Sequence, residues 1–159
     1  MSVGIRTLDR ADIKAVAQVH AAAFPRQRDS IAWISCNASA YPRMRYFIAE
    51  VDGTICGFVL WTEKSGFRDN VVIELEQIAV APFVQRQGIG KALIVQSLAL
   101  ISEHLVECGR KLSAVMVTTR ADNVSAQRLY SRALGAKAVA TIPMLFAADE
   151  IVLLAQFVQ

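Results

Sequence analysis

The chain reads as an α/β domain (an α+β mixed sheet), and three observations predict it. Apolar residues switch between a strand-like period of about two and a helix-like period of about 3.6. The switches follow the order β-α-α-β-β-β-α-β-α-β-β, which calls for a mixed sheet with helices on both faces. Asp52-Gly53 separates two apolar runs, a tight-hairpin signal because both central residues of such a turn need positive φ. A strand ending Ile78-Ala79-Val80 passes through a glycine-bearing turn into an amphipathic helix.

Residues 3–8 read as the first strand. Asp9 or Asp12 can cap a helix through about Phe24, with Ile13, Val16, Ala17 and 19–21 supplying its apolar stripe, and Pro25 stops it. Ser30 is the expected cap of a shorter helix over 31–37, and Pro42 precedes the sheet. Strands at 46–50 and 55–62 flank the Asp52-Gly53 turn, and a loop over 63–70 leads into a strand at 71–80. A helix over 88–107 ends at Gly109. A strand at 112–118, a helix at 123–134 ended by Gly135, and strands near 138–142 and 151–157 complete the chain. No repeat, low-complexity tract or linker divides residues 1–159, so a single domain is expected.

The length of 159 residues suffices to bury a core without disulfides. The hydrophobic share of 54% is high, which points to little loop and to a buried subunit interface, as in a homodimer. Lys91, Gln96 and Ser97 interrupt the most apolar stretch, so no membrane span is expected. The N-terminus has no basic segment followed by an apolar one, so no signal peptide is read. Cys36, Cys56 and Cys108 are odd in number and widely spaced, and read as reduced, mostly buried thiols of a cytoplasmic protein. The net charge of +3 comes from scattered basic residues, which is no nucleic-acid footprint. His20 and His104 stand in separate helices without neighbouring ligands, so both read as structural and no metal is expected.

The run Gln85-Arg86-Gln87-Gly88-Ile89-Gly90-Lys91-Ala92-Leu93 is the most informative stretch. The first N–H groups of a helix have no intrahelical partner, and the helix dipole favours negative charge there. Glycine at 88 and 90 lets a phosphate approach those groups, so the expected ligand carries a diphosphate. A dinucleotide fingerprint fails at Leu93, where a third glycine is needed. A nucleotide P-loop fails at Gln85 and Ala92, which replace its first glycine and its Ser/Thr.

The pattern Gln/Arg-x-x-Gly-x-Gly/Ala after a strand ending Ile-Ala-Val resembles the acyl-coenzyme A loop of the GNAT (general-control-type N-acetyltransferase) superfamily. Asn123-Val-Ser-Ala126-Gln-Arg-Leu129-Tyr130 is similar to that family's Asn-x-x-Ala-x-x-Leu-Tyr helix. Asp122 or Asn123 can cap it, and Ala126, Leu129 and Tyr130 share one face. The specific motifs lie in 74–93 and 123–135, while the order of elements agrees over nearly the whole chain. One departure follows Tyr130: the family's Tyr-x-x-x-Gly-Phe becomes Tyr130-Ser-Arg-Ala-Leu-Gly135-Ala136, with one residue added. That puts the register of the next strand in question, not the position of the tyrosine.

The resemblance implies a mostly antiparallel mixed sheet with a splayed acyl-CoA cleft, and transfer of an acetyl group from acetyl-CoA to a primary amine. It implies backbone contacts to pantetheine and oxyanion from Ile78, Ala79 and Val80. It further implies pyrophosphate contacts from the backbone of Arg86, Gln87, Gly88, Ile89, Gly90 and Lys91, a cofactor contact from Asn123, and a proton from Tyr130 for the departing thiolate. Glu74 lies fourteen residues before Gly88, the offset of the family's general-base glutamate, and Glu76 shares its strand parity as a rival. A carboxylate there is expected to be desolvated, raising its pKa toward the useful range. A proton path through water is the third possibility. The acceptor amine is expected from the first two helices, the loop before the fourth strand and the final hairpin, none of which carries a readable motif. The alternative reading is a non-catalytic acyl-CoA sensor or interaction module.

Overall fold

The computed structural model of the chain describes residues 2–157. Its elements follow the expected order: β1 (Val3–Thr7), α1 (Ile13–Ala23), α2 (Ser30–Ala38), β2 (Met44–Val51), β3 (Thr54–Lys64), β4 (Asn70–Val80), α3 (Ile89–Glu107), β5 (Lys111–Arg120), α4 (Val124–Leu134), β6 (Lys137–Ile142) and β7 (Glu150–Gln156). Short 3-10 turns precede α1 at Arg10–Asp12 and α3 at Pro82–Val84. The seven strands form one sheet in the order β1-β2-β3-β4-β5-β7-β6. β4 and β5 pair in parallel, while β1-β2, β2-β3, β5-β7 and β6-β7 are antiparallel. A parallel neighbour needs a long crossover, and α3 supplies it.

The described chain forms two compact units. The first runs to Thr62 and adds Gln77–Ser97; the second is Glu63–Glu76 with the chain from Leu98 onward. In the first unit Asp52 (φ 49°) and Gly53 (φ 76°) both take the left-handed conformation that closes the β2-β3 hairpin. Val16, Ala17 and Val19 of α1 and Ile34 of α2 pack with Tyr46, Ile48, Phe58, Leu60 and Ala79 in a buried core. On the next residue of β3 the side chain turns over, and the Trp61 indole donates to Ser97 Oγ of α3 at 2.8 Å. The α1-α2 pair and the start of α3 therefore cover opposite faces of β3.

Two expectations change. Asp29, not Ser30, caps α2: its Oδ1 accepts from Ala32 N–H at 3.2 Å, and Ser30 is the first helical residue. Adjacent polar residues compete for a cap, and Asp29 wins by taking φ 50°. Cys56 is buried, but Cys36 and Cys108 are exposed, so the thiols are not mostly buried. Cys36 lies on α2, and Cys108 follows the last residue of α3.

In the second unit β7 lies between β5 and β6. Arg110 chelates the carboxylate of Glu63, and its Nε donates to the Arg68 carbonyl at 3.0 Å. α4 ends where Gly135 turns left-handed at φ 68°, with its N–H on the Ser131 carbonyl at 2.9 Å. Past that helix, the β6-β7 register shifts between Ala138 and Ala140. Buried Ala136 fills the place where the family pattern has phenylalanine.

α3 also differs from expectation. It is one helix long and apolar enough, by length and composition, to cross a membrane, with a mean hydropathy of 1.4 in its best 18-residue window. The three polar residues do not break the run: Lys91 sits in the first turn, and Ser97 is buried against Trp61. A helix that packs into a protein core passes the same test, and Leu93, Ile94, Ser97, Ile101 and Leu105 of α3 are all buried within the protein.

Candidate functional site

β4 carries the strand half of the candidate site. Its side chains alternate, so Leu75, Gln77 and Ala79 are buried on one face, while Glu74, Glu76, Ile78 and Val80 are half-buried on the other. The ladder with β5 runs from Asn70↔Lys111 to Leu75↔Val117 and stops there, although β4 continues to Val80 and β5 to Arg120. The stretch Ile78-Ala79-Val80, expected to offer backbone groups to a ligand, lies beyond the end of that ladder.

Beyond β4, Gln85 folds back so that its Nε2 donates to the Val80 carbonyl at 3.0 Å. Arg86 and Gly88 then take left-handed conformations at φ 66° and 81°. Left-handed residues alternating with an ordinary one turn successive backbone N–H groups inward, which forms a nest for an anion. The first helical bond runs from Ala92 N–H to the Gly88 carbonyl at 3.0 Å. The N–H groups of Ile89, Gly90 and Lys91 therefore precede any helical acceptor and extend the cradle into the helix start. Gly88 is required by its backbone angle, not by crowding, since a Cβ there would meet nothing within 4 Å. Arg86 holds the same handedness with a side chain, a strained choice of the kind that collects at functional sites. The side chains of Arg86 and Lys91 are exposed, while that of Ile89 is buried as the anchor of the helix start.

A glycine outside the expected cofactor loop supports this geometry. A Cβ on Gly57 of β3 would lie 3.0 Å from the Ala79 carbonyl and 3.2 Å from Leu93 Cδ1. Glycine lets β3, the end of β4 and the first turns of α3 approach this closely without displacing a neighbour. A strand-interior glycine is the one available hint of such an approach.

The second unit holds the remaining candidates. Glu74 Oε2 lies 3.0 Å from Lys64 Nζ, so this carboxylate is ion-paired and not merely desolvated. Glu76 lies one pleat further along the same face. Asn123 Oδ1 accepts from Ala126 N–H at 3.1 Å and so caps α4. Ala126 and Leu129 are half-buried and Tyr130 is buried, the shared face expected from their spacing. Burial pushes the Tyr130 hydroxyl up to about 12. Among the described residues its oxygen has no hydrogen-bond partner, and none of their buried side-chain polar atoms lacks one, so this oxygen keeps some contact with solvent.

A strand that outlasts its parallel ladder with β5 and runs on into a nest at a helix start is an arrangement suited to an anionic ligand. The family model of the acetyltransferase (GNAT) family matches residues 13–136, and the chain belongs to that family. It is 32% identical over 124 residues to a mycothiol acetyltransferase of Stackebrandtia nassauensis, an alignment covering 73% of this chain and 38% of that protein. The chain thus spans well under half the length of that relative. Its fold is similar to that of the ribosomal-protein-S18-alanine N-acetyltransferase of Escherichia coli, at 22% identity and a TM-score of 0.75 over 99% of this chain and 96% of the other. It is also similar to the NAA60 of Arabidopsis thaliana in complex with acetyl-CoA, at 19% identity and a TM-score of 0.79 over 98% and 99% of the two chains.

Proposed function

We propose that the protein transfers an acetyl group from acetyl-CoA to a primary amine by direct attack within a ternary complex. The nest at Arg86–Lys91 carries this reading, because a chain of converging N–H groups at a helix start suits a diphosphate. The dinucleotide and P-loop alternatives fail at Leu93, Gln85 and Ala92. The mycothiol acetyltransferase relative and the acetyl-CoA complex of a similar fold support the same choice of ligand.

Acetyl-CoA supplies an activated thioester carbonyl. The chain's own groups then have separate tasks. The nest residues fix the diphosphate, and the backbone of Ile78, Ala79 and Val80 holds the pantetheine arm and the developing oxyanion. Fixing both partners replaces much of the entropic cost of a bimolecular step. Tyr130 serves the departing sulfur. A thiolate whose conjugate acid lies near 8.5, as for cysteine, is a far weaker base than a tyrosinate near 12. Full proton transfer would run uphill, so Tyr130 acts by donating a hydrogen bond to the thiolate. Glu74 and Glu76 share the half-buried face of β4. The Glu74 carboxylate is engaged by Lys64 at 3.0 Å.

Thermal melts test the ligand assignment. Acetyl-CoA should raise the melting temperature in a concentration-dependent way, because it binds only the folded chain. An equal shift with NAD or ATP, or none with acetyl-CoA, would remove the reading.

A further inference from the structure

Five polar side chains of the first unit form a continuous hydrogen-bonded chain that neither the cofactor loop nor the core accounts for. Trp33 Nε1 of α2 donates to Gln77 Oε1 of β4 at 3.0 Å. Gln77 Nε2 donates to Gln27 Oε1 at 2.9 Å. The same Gln27 oxygen lies 2.9 Å from His20 Nε2 of α1, and His20 Nδ1 lies 2.8 Å from Ser30 Oγ. His20 and Gln77 are buried, Ser30 is half-buried, and Gln27 and Trp33 reach the surface.

The direction of every bond follows from one end. An indole N–H can only donate, so Gln77 presents its carbonyl oxygen to Trp33 and its amide nitrogen to Gln27. Gln27 must therefore accept with its oxygen, and a ring nitrogen that meets this acceptor must carry hydrogen. His20 is thus protonated on Nε2, which leaves Nδ1 with a bare lone pair facing the Ser30 hydroxyl. A hydroxyl at the protein edge with a neutral imidazole behind it, and a third group holding the imidazole, is the arrangement that activates a hydroxyl for proton transfer.

We propose that Ser30 accepts the proton of the attacking amine while passing its own to His20, with Gln27, Gln77 and Trp33 positioning the ring. The proposal rests on the acetyl-transfer reading above. In the step, the amine nitrogen bonds to the acetyl carbon and becomes positively charged. Its proton moves to Ser30 Oγ, and the Ser30 proton moves to His20 Nδ1. Collapse of the adduct expels the CoA thiolate, and the imidazolium later returns its proton through Ser30 to water. Gln77 anchors the relay to β4 directly before Ile78, the first residue of the stretch assigned to the pantetheine arm and the developing oxyanion.

The surroundings keep His20 neutral and ready. Burial pushes its pKa below the ordinary 6.5. Ser30 faces it from α2, Gln27 from the loop, Phe58 from β3, Gln77 from β4 and Phe24 from just past the end of its own helix, and none of these is charged. A base this weak serves an amine already partly neutral near pH 7, such as an α-amino group with pKa of roughly 7.7–8.0, better than a lysine side chain near 10.4.

The test uses the full chain. A two-bond proton–nitrogen correlation spectrum of 15N-labelled protein reads the ring directly: hydrogen on Nε2 and a bare Nδ1 at neutral pH are expected. Hydrogen on Nδ1 at neutral pH overturns the relay without any acceptor. Turnover is then measured with acetyl-CoA and two probes, alanine amide and a short peptide beginning with alanine. Ser30→Ala should lower kcat roughly 10²-fold and abolish the acid limb of the pH profile, with the acetyl-CoA melt shift intact. Ser30→Thr, which keeps a hydroxyl, should recover most of the rate. Equal losses in both variants, or a change confined to KM, would overturn the relay in favour of a purely structural clamp. No transfer by the unsubstituted protein, despite a normal acetyl-CoA shift, would also overturn it. A missing acetyl-CoA shift would instead strike the transferase reading itself.

Discussion

Lys64 Nζ and Glu74 Oε2 stand 3.0 Å apart, joining the end of β3 to the middle of β4. The lysine side chain is 37% exposed and the carboxylate 17%, so the pair contributes about 0–1 kcal/mol. With proton removal assigned to Ser30 and His20, Glu74→Gln and Glu76→Gln should each change kcat by less than about tenfold, whereas a lost base costs roughly 10²–10⁴-fold. Steady-state kinetics of the two variants decide this. A base-sized loss in either would return the role to the carboxylate face of β4.

Tyr130→Phe removes one oxygen and leaves the packing volume alone. Losing a hydrogen bond to a charged sulfur costs about 1.5–3 kcal/mol, so kcat should fall roughly 10–100-fold. The loss should shrink with acyl donors whose thiol is more acidic. The melt should barely move, because the hydroxyl has no partner among the described residues to lose. A fully active, destabilised variant would make Tyr130 a core residue only.

Gly88 stands at φ 81°, so Gly88→Ala should cost about 1–2 kcal/mol of stability and weaken acetyl-CoA binding by re-aiming the nest. Gly57→Ala acts differently: its Cβ would press on the Ala79 carbonyl at 3.0 Å and distort the strand end expected to hold the thioester. Calorimetric titration should show weaker acetyl-CoA binding for both. Unchanged binding in Gly88→Ala would separate the nest from the ligand.

His20 gives stability a pH dependence with a definite sign. Its folded pKa lies below the unfolded value near 6.5, so between the two the unfolded chain binds a proton that the folded chain refuses. Stability should therefore fall as pH drops from about 6.5 toward the folded value, and level off below it. Denaturant melts across this window should show the fall, and His20→Gln should flatten it. A slope unchanged by that substitution would assign the effect to other groups.

How much of this was legible depended on how local each signal is. Asp52-Gly53 and Gly88 announce positive φ within a few residues, and both turns appear where expected. The Ala126, Leu129 and Tyr130 face follows from helical spacing alone. The Asp29 cap was missed because Asp29 and Ser30 are both competent and only the chain path chooses between them. Gly57 and Gln77 were unreadable for a different reason. Gly57 answers to Ala79 and Leu93, and Gln77 to Gln27 and Trp33, partners that sequence spacing does not reveal. Lys64 beside Glu74 belongs to the same class.

The central claim is acetyl transfer, and the direct measurement couples both of its products. The protein is incubated with acetyl-CoA and a panel of polyamines, amino acids, aminoglycosides and N-terminal peptides, while free CoA is followed by thiol detection and the amines by mass spectrometry. The account predicts one amine class that gains an acetyl group in equal amount to the CoA released. CoA release without any acetylated amine, or no release while acetyl-CoA still stabilises the fold, would contradict it and leave a protein that binds acyl-CoA without using it.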